Sequence, residues 1–213
     1  MNTRTKWIRT PEGITTAIMS SFLLLMGFPV AAYLLGRPVG FLQDLGFLSG
    51  PRGTTLAWFL GVVVAIAYIA YTMKRVPTVA LRWREVSPLK ALSLLLAVVA
   101  ATVEEAFFRR LSMDAVAGAG GNAILQVITS ALGFGIAHAV WGLFGRNLHV
   151  ALAAATSTAA LGGGLAVVYL VGGRSLAPCI VSHFLLTAAI EPALMLAAVS
   201  GNMKGDARRL NAV

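Results

Sequence analysis

The chain has 213 residues, of which 58% are hydrophobic and 12% charged, and a mean hydropathy of +0.81. This composition excludes both a water-soluble surface and a disordered chain, which needs few apolar residues and many charges. Seventeen Lys and Arg against eight Asp and Glu leave a net charge of +9, the ordinary mark of basic loops on the inner side of a membrane protein, so no nucleic-acid partner is implied.

A hydrocarbon core of about 30 Å takes roughly 20 apolar helical residues to cross. Taken in chain order, residues 13–36, 54–73, 91–108, 123–145, 148–173 and 175–200 meet that requirement, and predict an all-α polytopic transmembrane helical bundle of about six spans. The basic cluster Arg4, Lys6 and Arg9 precedes the first run, which is long and lacks a small-residue cleavage site, so it reads as a retained span. Residues 40–50 are apolar but short and carry Asp44, which suggests a surface-lying helix or part of a re-entrant element. Pro29 and Pro192 are expected to kink their helices. Gly162, Gly163 and Gly164, with Ala153, Ala154 and Ala155 nearby, suit close helix packing through small residues. Cys179, the single cysteine, falls in an apolar run and should pack as a small hydrophobe.

With the N-terminus inside, twelve of the seventeen Lys and Arg fall on the inner side, and Arg37, Arg52, Arg109, Arg110 and Arg174 fall outside. The charge rule therefore predicts an integral multi-pass protein with both termini cytoplasmic. No internal repeat or second globular unit is visible. The chain divides into an N-terminal tail, two spans and a basic loop (1–90), a helical core (91–200) and a basic tail (201–213).

Three acidic residues, Glu104, Glu105 and Glu191, lie within apolar spans, where an ionised side chain is costly and marks a candidate site. Glu105 and Arg109 are four residues apart and within about 40° on a helix, so they can pair along one face. Glu104 points about 140° from Arg109 and must be satisfied by another helix or by water in a cavity. His138 and His183 sit inside the fourth and sixth spans, whereas His149 adjoins Arg146 and Asn147 at a helix end and suits the surface. At 1.5 Å per residue, Glu104 lies about 21 Å from Lys90, His138 about 12 Å from Arg146, and His183 about 13 Å from Arg174. These depths are compatible with one shared polar site near mid-membrane, Glu104 lying somewhat beyond the midpoint.

Glu104-Glu105-Ala106-Phe107-Phe108-Arg109 matches an EExxxR motif, and Phe134-Gly135-Ile136-Ala137-His138 an FxxxH motif. Ser182-His183-Phe184-Leu185-Leu186-Thr187 half-matches a third motif, HxxxN or HxxxD, with Thr at the position usually taken by Asn or Asp. In this order, and each within a hydrophobic span, the three resemble the motifs of the CPBP family. That family comprises intramembrane proteases named for CAAX prenyl proteases and bacteriocin-processing enzymes, also called the Abi family. The resemblance covers roughly residues 91–200 and implies a CPBP-like catalytic core there.

What the resemblance implies is an endopeptidase, of glutamate-protease or metalloprotease type, acting on a peptide or membrane-protein substrate at the bilayer. Glu104 would be the general base for a water that His138 holds and polarises, while Glu105 anchors Arg109 and Phe134 packs on the His138 ring. His183 and Thr187, four apart on one face, would donate hydrogen bonds to the developing oxyanion. Proton transfer of this kind requires no cofactor; were zinc used, Glu104, His138 and His183 would be a three-ligand set with an open fourth position. Glu191, on the same stripe as His183 and Thr187, suits a structural role. The competing functions are a non-catalytic membrane scaffold or immunity factor of the same family, and a proton-coupled carrier. A carrier fits poorly with the absence of a duplicated half.

Overall fold

The computed structural model describes residues 9–48 and 52–203. Arg4 and Lys6 of the basic cluster, Gly50 of the short segment, and the tail residues Lys204, Arg208 and Arg209 lie outside the described residues. The described residues form helices α1 (Pro11–Gly36), α2 (Pro38–Asp44), α3 (Thr55–Arg75), α4 (Pro77–Arg82) and α5 (Pro88–Glu105). A π-helical turn (Ala106–Leu111) follows, then α6 (Ser112–Gly118), α7 (Ala123–His138), α8 (Trp141–Phe144), α9 (Leu148–Val171), α10 (Ala177–Ile190) and α11 (Ala193–Val199).

The long helices begin at side chains suited to capping. Thr10, Thr54, Ser87 and Asn122 each accept a bond from a backbone N–H three residues on, and Asn147 from that of His149. Pro11 and Pro88 follow two of these caps, where a missing N–H costs nothing. Five helices are long and apolar enough to cross a bilayer, and a sixth crossing is made if α10 and α11, bent by 56° at Glu191 and Pro192, form one broken span. The protein is thus an all-α polytopic bundle and an integral multi-pass membrane protein. Leu24, Leu25, Phe28 and Leu35 on α1 stay largely exposed, as a lipid-facing surface requires.

Three sequence expectations are corrected. The third span does not end at Phe108: the helix continues through the π turn to Gly118, 31 residues in all. Arg109 is therefore not in an outer loop but fully buried within that helix, where Glu105 and Ser130 receive its guanidinium. Glu104, sixteen residues after Pro88 and fourteen before Gly118, consequently lies close to the middle of its span, about 24 Å and 21 Å from the ends. Pro29 lies inside the continuous helix α1. The short segment forms α2, a surface helix only 7 residues long.

The helices that bear the three motifs are held by small residues. A Cβ on Gly135 of α7 would lie 2.5 Å from the Ala155 carbonyl oxygen, and one on Gly61 of α3 would lie 2.3 Å from Ser182 Oγ. These contacts let α7 approach α9 and α3 approach α10 closely, while α10 also packs on α5. At one end of the bundle Asp114 pairs with Arg174, and Arg174 Nη2 donates to Gln126 Oε1 at 2.7 Å, which ties α6, α7 and the start of α10 together.

Candidate active site

Glu104 and Glu105 are adjacent on α5 but face different surroundings. Glu105 is fully buried. Its Oε2 lies 2.9 Å from Arg109 Nε, and its Oε1 accepts from Arg109 Nη2 at 3.4 Å. The π turn that follows wraps this pair, and such turns collect at functional sites because they re-aim side chains within a helix. Arg109 Nη1 donates to Ser130 Oγ at 2.6 Å, and Ser130 in turn donates to the Phe108 carbonyl at 3.0 Å. The guanidinium carbon lies 5.1 Å from the centre of the Phe134 ring. Ser130 was not singled out from the sequence; its position one turn before Phe134 and two before His138 on α7 is the only hint of it.

Glu105 also does something the sequence did not reveal. His183 Nδ1 donates to Glu105 Oε1 at 2.8 Å, so one carboxylate holds both Arg109 and the His183 ring. A carboxylate behind an imidazole fixes its orientation and leaves the far nitrogen for chemistry. On the other side of the site, His138 Nδ1 donates to the Phe134 carbonyl at 2.8 Å, and its ring lies 4.3 Å from that of Phe134, centre to centre. Both proton positions are assigned from these bonds, since a carbonyl and a carboxylate held by Arg109 can only accept.

When both rings are neutral, with the proton on Nδ1, both Nε2 atoms present lone pairs. Both face the same oxygen: Glu104 Oε2 lies 3.7 Å from His138 Nε2 and 3.9 Å from His183 Nε2. That oxygen is buried and has no hydrogen-bond partner among the described residues. Three acceptors thus converge on one small gap too wide for direct hydrogen bonds, an arrangement that calls for a donor between them. A tetrahedral zinc with bonds of about 2.0–2.1 Å sets its ligand atoms roughly 3.4 Å apart. Among the described residues no group of three or more His, Cys, Asp or Glu side chains is placed to hold a metal ion.

Glu104, His138 and His183 open onto a cavity of about 410 Å³, which Thr187 and Glu191 also line. Thr187 is half-buried, one helical turn beyond His183. The rest of the wall is apolar and aromatic, with Met19, Phe22 and Met26 of α1 facing Phe107, Trp141 and Phe144. His149 is exposed.

Residues 87–189 match the family model described as type II CAAX prenyl endopeptidase, Rce1-like. The match spans all three motifs and stops before Glu191. Neither a curated protein nor a solved structure matches the chain. The segment that carries Glu104, His138 and His183, residues 87–189, is thus similar to the Rce1-like members of the CPBP family.

Proposed function

We infer that the chain is an intramembrane endopeptidase in which Glu104 activates a water for attack on a peptide bond. The observation that carries this reading is the approach of two imidazole Nε2 atoms to a buried, otherwise unbonded Glu104 oxygen at the edge of a cavity. A water about 2.8 Å from each atom fits gaps of this width, giving one hydrogen to Glu104 and the other to a histidine. Glu104 takes a proton as the water oxygen bonds to the carbonyl carbon, and passes it to the nitrogen as the carbon–nitrogen bond breaks. The Thr187 hydroxyl, and His183 whenever Nε2 carries a proton, are the donors on hand for the oxyanion. Glu105, Arg109 and Ser130 touch no substrate in this scheme; they position His183 and the helix that bears Glu104.

The test is product analysis by mass spectrometry of purified protein incubated with a peptide library. Glu104→Gln keeps the shape and removes the base, and is expected to lower cleavage by about 10²- to 10⁴-fold. Undiminished cleavage by that variant would defeat the assignment. Thr187 favours a second reading, binding without cutting. Peptide binding to the unaltered protein with no product at any time would support it.

A further inference from the structure

Glu191 is the residue of the cavity that the mechanism above does not use. It is 7% exposed and lines the same cavity as Glu104, His183 and Thr187. The backbone there is pinned. Lys90 Nζ donates to the Glu191 carbonyl oxygen at 2.7 Å and to that of Ala188, and Ser93 Oγ lies 3.3 Å from the Glu191 oxygen. Its carboxylate is only half satisfied: Oε2 accepts from the Met195 N–H at 3.2 Å, and Oε1 has no hydrogen-bond partner among the described residues. Nor does any Lys or Arg among them form an ion pair with it, although the Lys90 ammonium is bound to the same residue's backbone.

Glu191 Oε1 is not among the buried oxygens left without a partner, so it borders the cavity, and a carboxylate in a largely apolar wall is costly to keep unless something reaches it. The only charged residues among those lining the cavity are Glu104 and Glu191, apart from the two histidines, so its lining is acidic and holds no Lys or Arg, while the Lys90 ammonium acts on Glu191 from the backbone side. Along α10 the step from His183 to Glu191 is eight residues, about 12 Å. An extended peptide covers that in three to four residues at roughly 3.3–3.6 Å each. The Glu191 end also adjoins Lys90 and the loop with Arg82 and Arg84, the side on which membrane proteins concentrate Lys and Arg next to their spans.

We propose that Glu191 is a specificity subsite that accepts a Lys or Arg side chain of the substrate, three to four residues from the bond cut at Glu104. This rests on the peptidase reading for the location of the cut, but not for the existence of the subsite. Substrates would be peptides that are apolar near the scissile bond and basic at its flank.

The test separates the two. The full chain in nanodiscs, carrying Glu104→Gln so that nothing is cleaved, is titrated with fluorescein-labelled apolar decapeptides in which one Lys or one norleucine is moved along the sequence. Lys is expected to bind about tenfold more tightly than norleucine at one position, and Glu191→Gln, which keeps an oxygen for the Met195 N–H, should bring the two to equality. Equal binding of the Lys and norleucine peptides at all positions, no measurable binding of either, or a Lys preference that survives Glu191→Gln would overturn the subsite. In the unaltered chain the same peptides are followed for cleavage. A Glu191-dependent preference in binding with no cleavage would refute the peptidase reading and leave the subsite standing. Cleavage with a Lys-to-norleucine kcat/KM ratio unchanged by Glu191→Gln would do the reverse.

Discussion

Two neighbouring glutamates carry opposite duties because one faces charge and the other faces a gap. Glu105 is enclosed by Arg109 and His183, whereas Glu104 Oε2 lies 3.7 Å and 3.9 Å from the Nε2 atoms of two rings, beyond direct hydrogen bonding. Removing the Arg109 charge by Arg109→Leu leaves Glu105 buried without its cation. A loss of about 3–5 kcal/mol is expected, readable as a lower midpoint of thermal unfolding in detergent; an unchanged midpoint would show that the pair is not enclosed. Thr187 is expected to act in the chemical step. Thr187→Val should lower kcat by about 10²-fold with KM little changed, as for loss of an oxyanion donor, and Thr187→Asn should retain activity. Equal kcat for the Val variant and the unaltered chain would assign the oxyanion to other groups. The sequence made the pairing of Glu105 with Arg109 legible because it is local. The bond from Glu105 to His183 joins residues 78 apart, and no spacing rule reaches that far.

Among the helices, the segment through the EExxxR motif departs most from what its sequence suggests. Arg109 and Arg110 look like the start of a loop, yet the helix absorbs Arg109 by giving it Glu105 and Ser130, and leaves Arg110 exposed. The π turn over Ala106–Leu111 has no signature in hydropathy. Small-residue packing was legible in outline, but the tightest approach on α7 is at Gly135, inside the FxxxH motif, rather than within the glycine run 162–164 alone. Gly135→Ala would put a methyl carbon 2.5 Å from Ala155 O and 2.8 Å from Ala159 Cβ. A cost of about 1–3 kcal/mol is expected from such overpacking, with His138 displaced along with α7. Unchanged stability together with unchanged activity would show that α7 and α9 are not packed this closely.

For the whole molecule, composition alone was enough to predict a helical bundle in a membrane, because apolar runs of this length have few other uses. What it left unread is that α1, outside the family match, closes one wall of the cavity with Met19, Phe22 and Met26. The charge rule proposes that the loop with Arg84 is cytoplasmic and that Ala119, at the far end of the long helix, is outside. In a Cys179→Ala background, single cysteines at these two positions should react with an impermeant maleimide from opposite sides; labelling of both from one side would rule this topology out.

The most direct measurement is the rate of peptide cleavage by purified protein with Glu104 intact and with Glu104→Gln, monitored by product mass, in parallel with His138→Ala. With Glu104 as the base on a water shared with His138, cleavage should fall by about 10²-fold or more in both variants while the bundle stays folded. Full activity in the folded Glu104→Gln protein would contradict it.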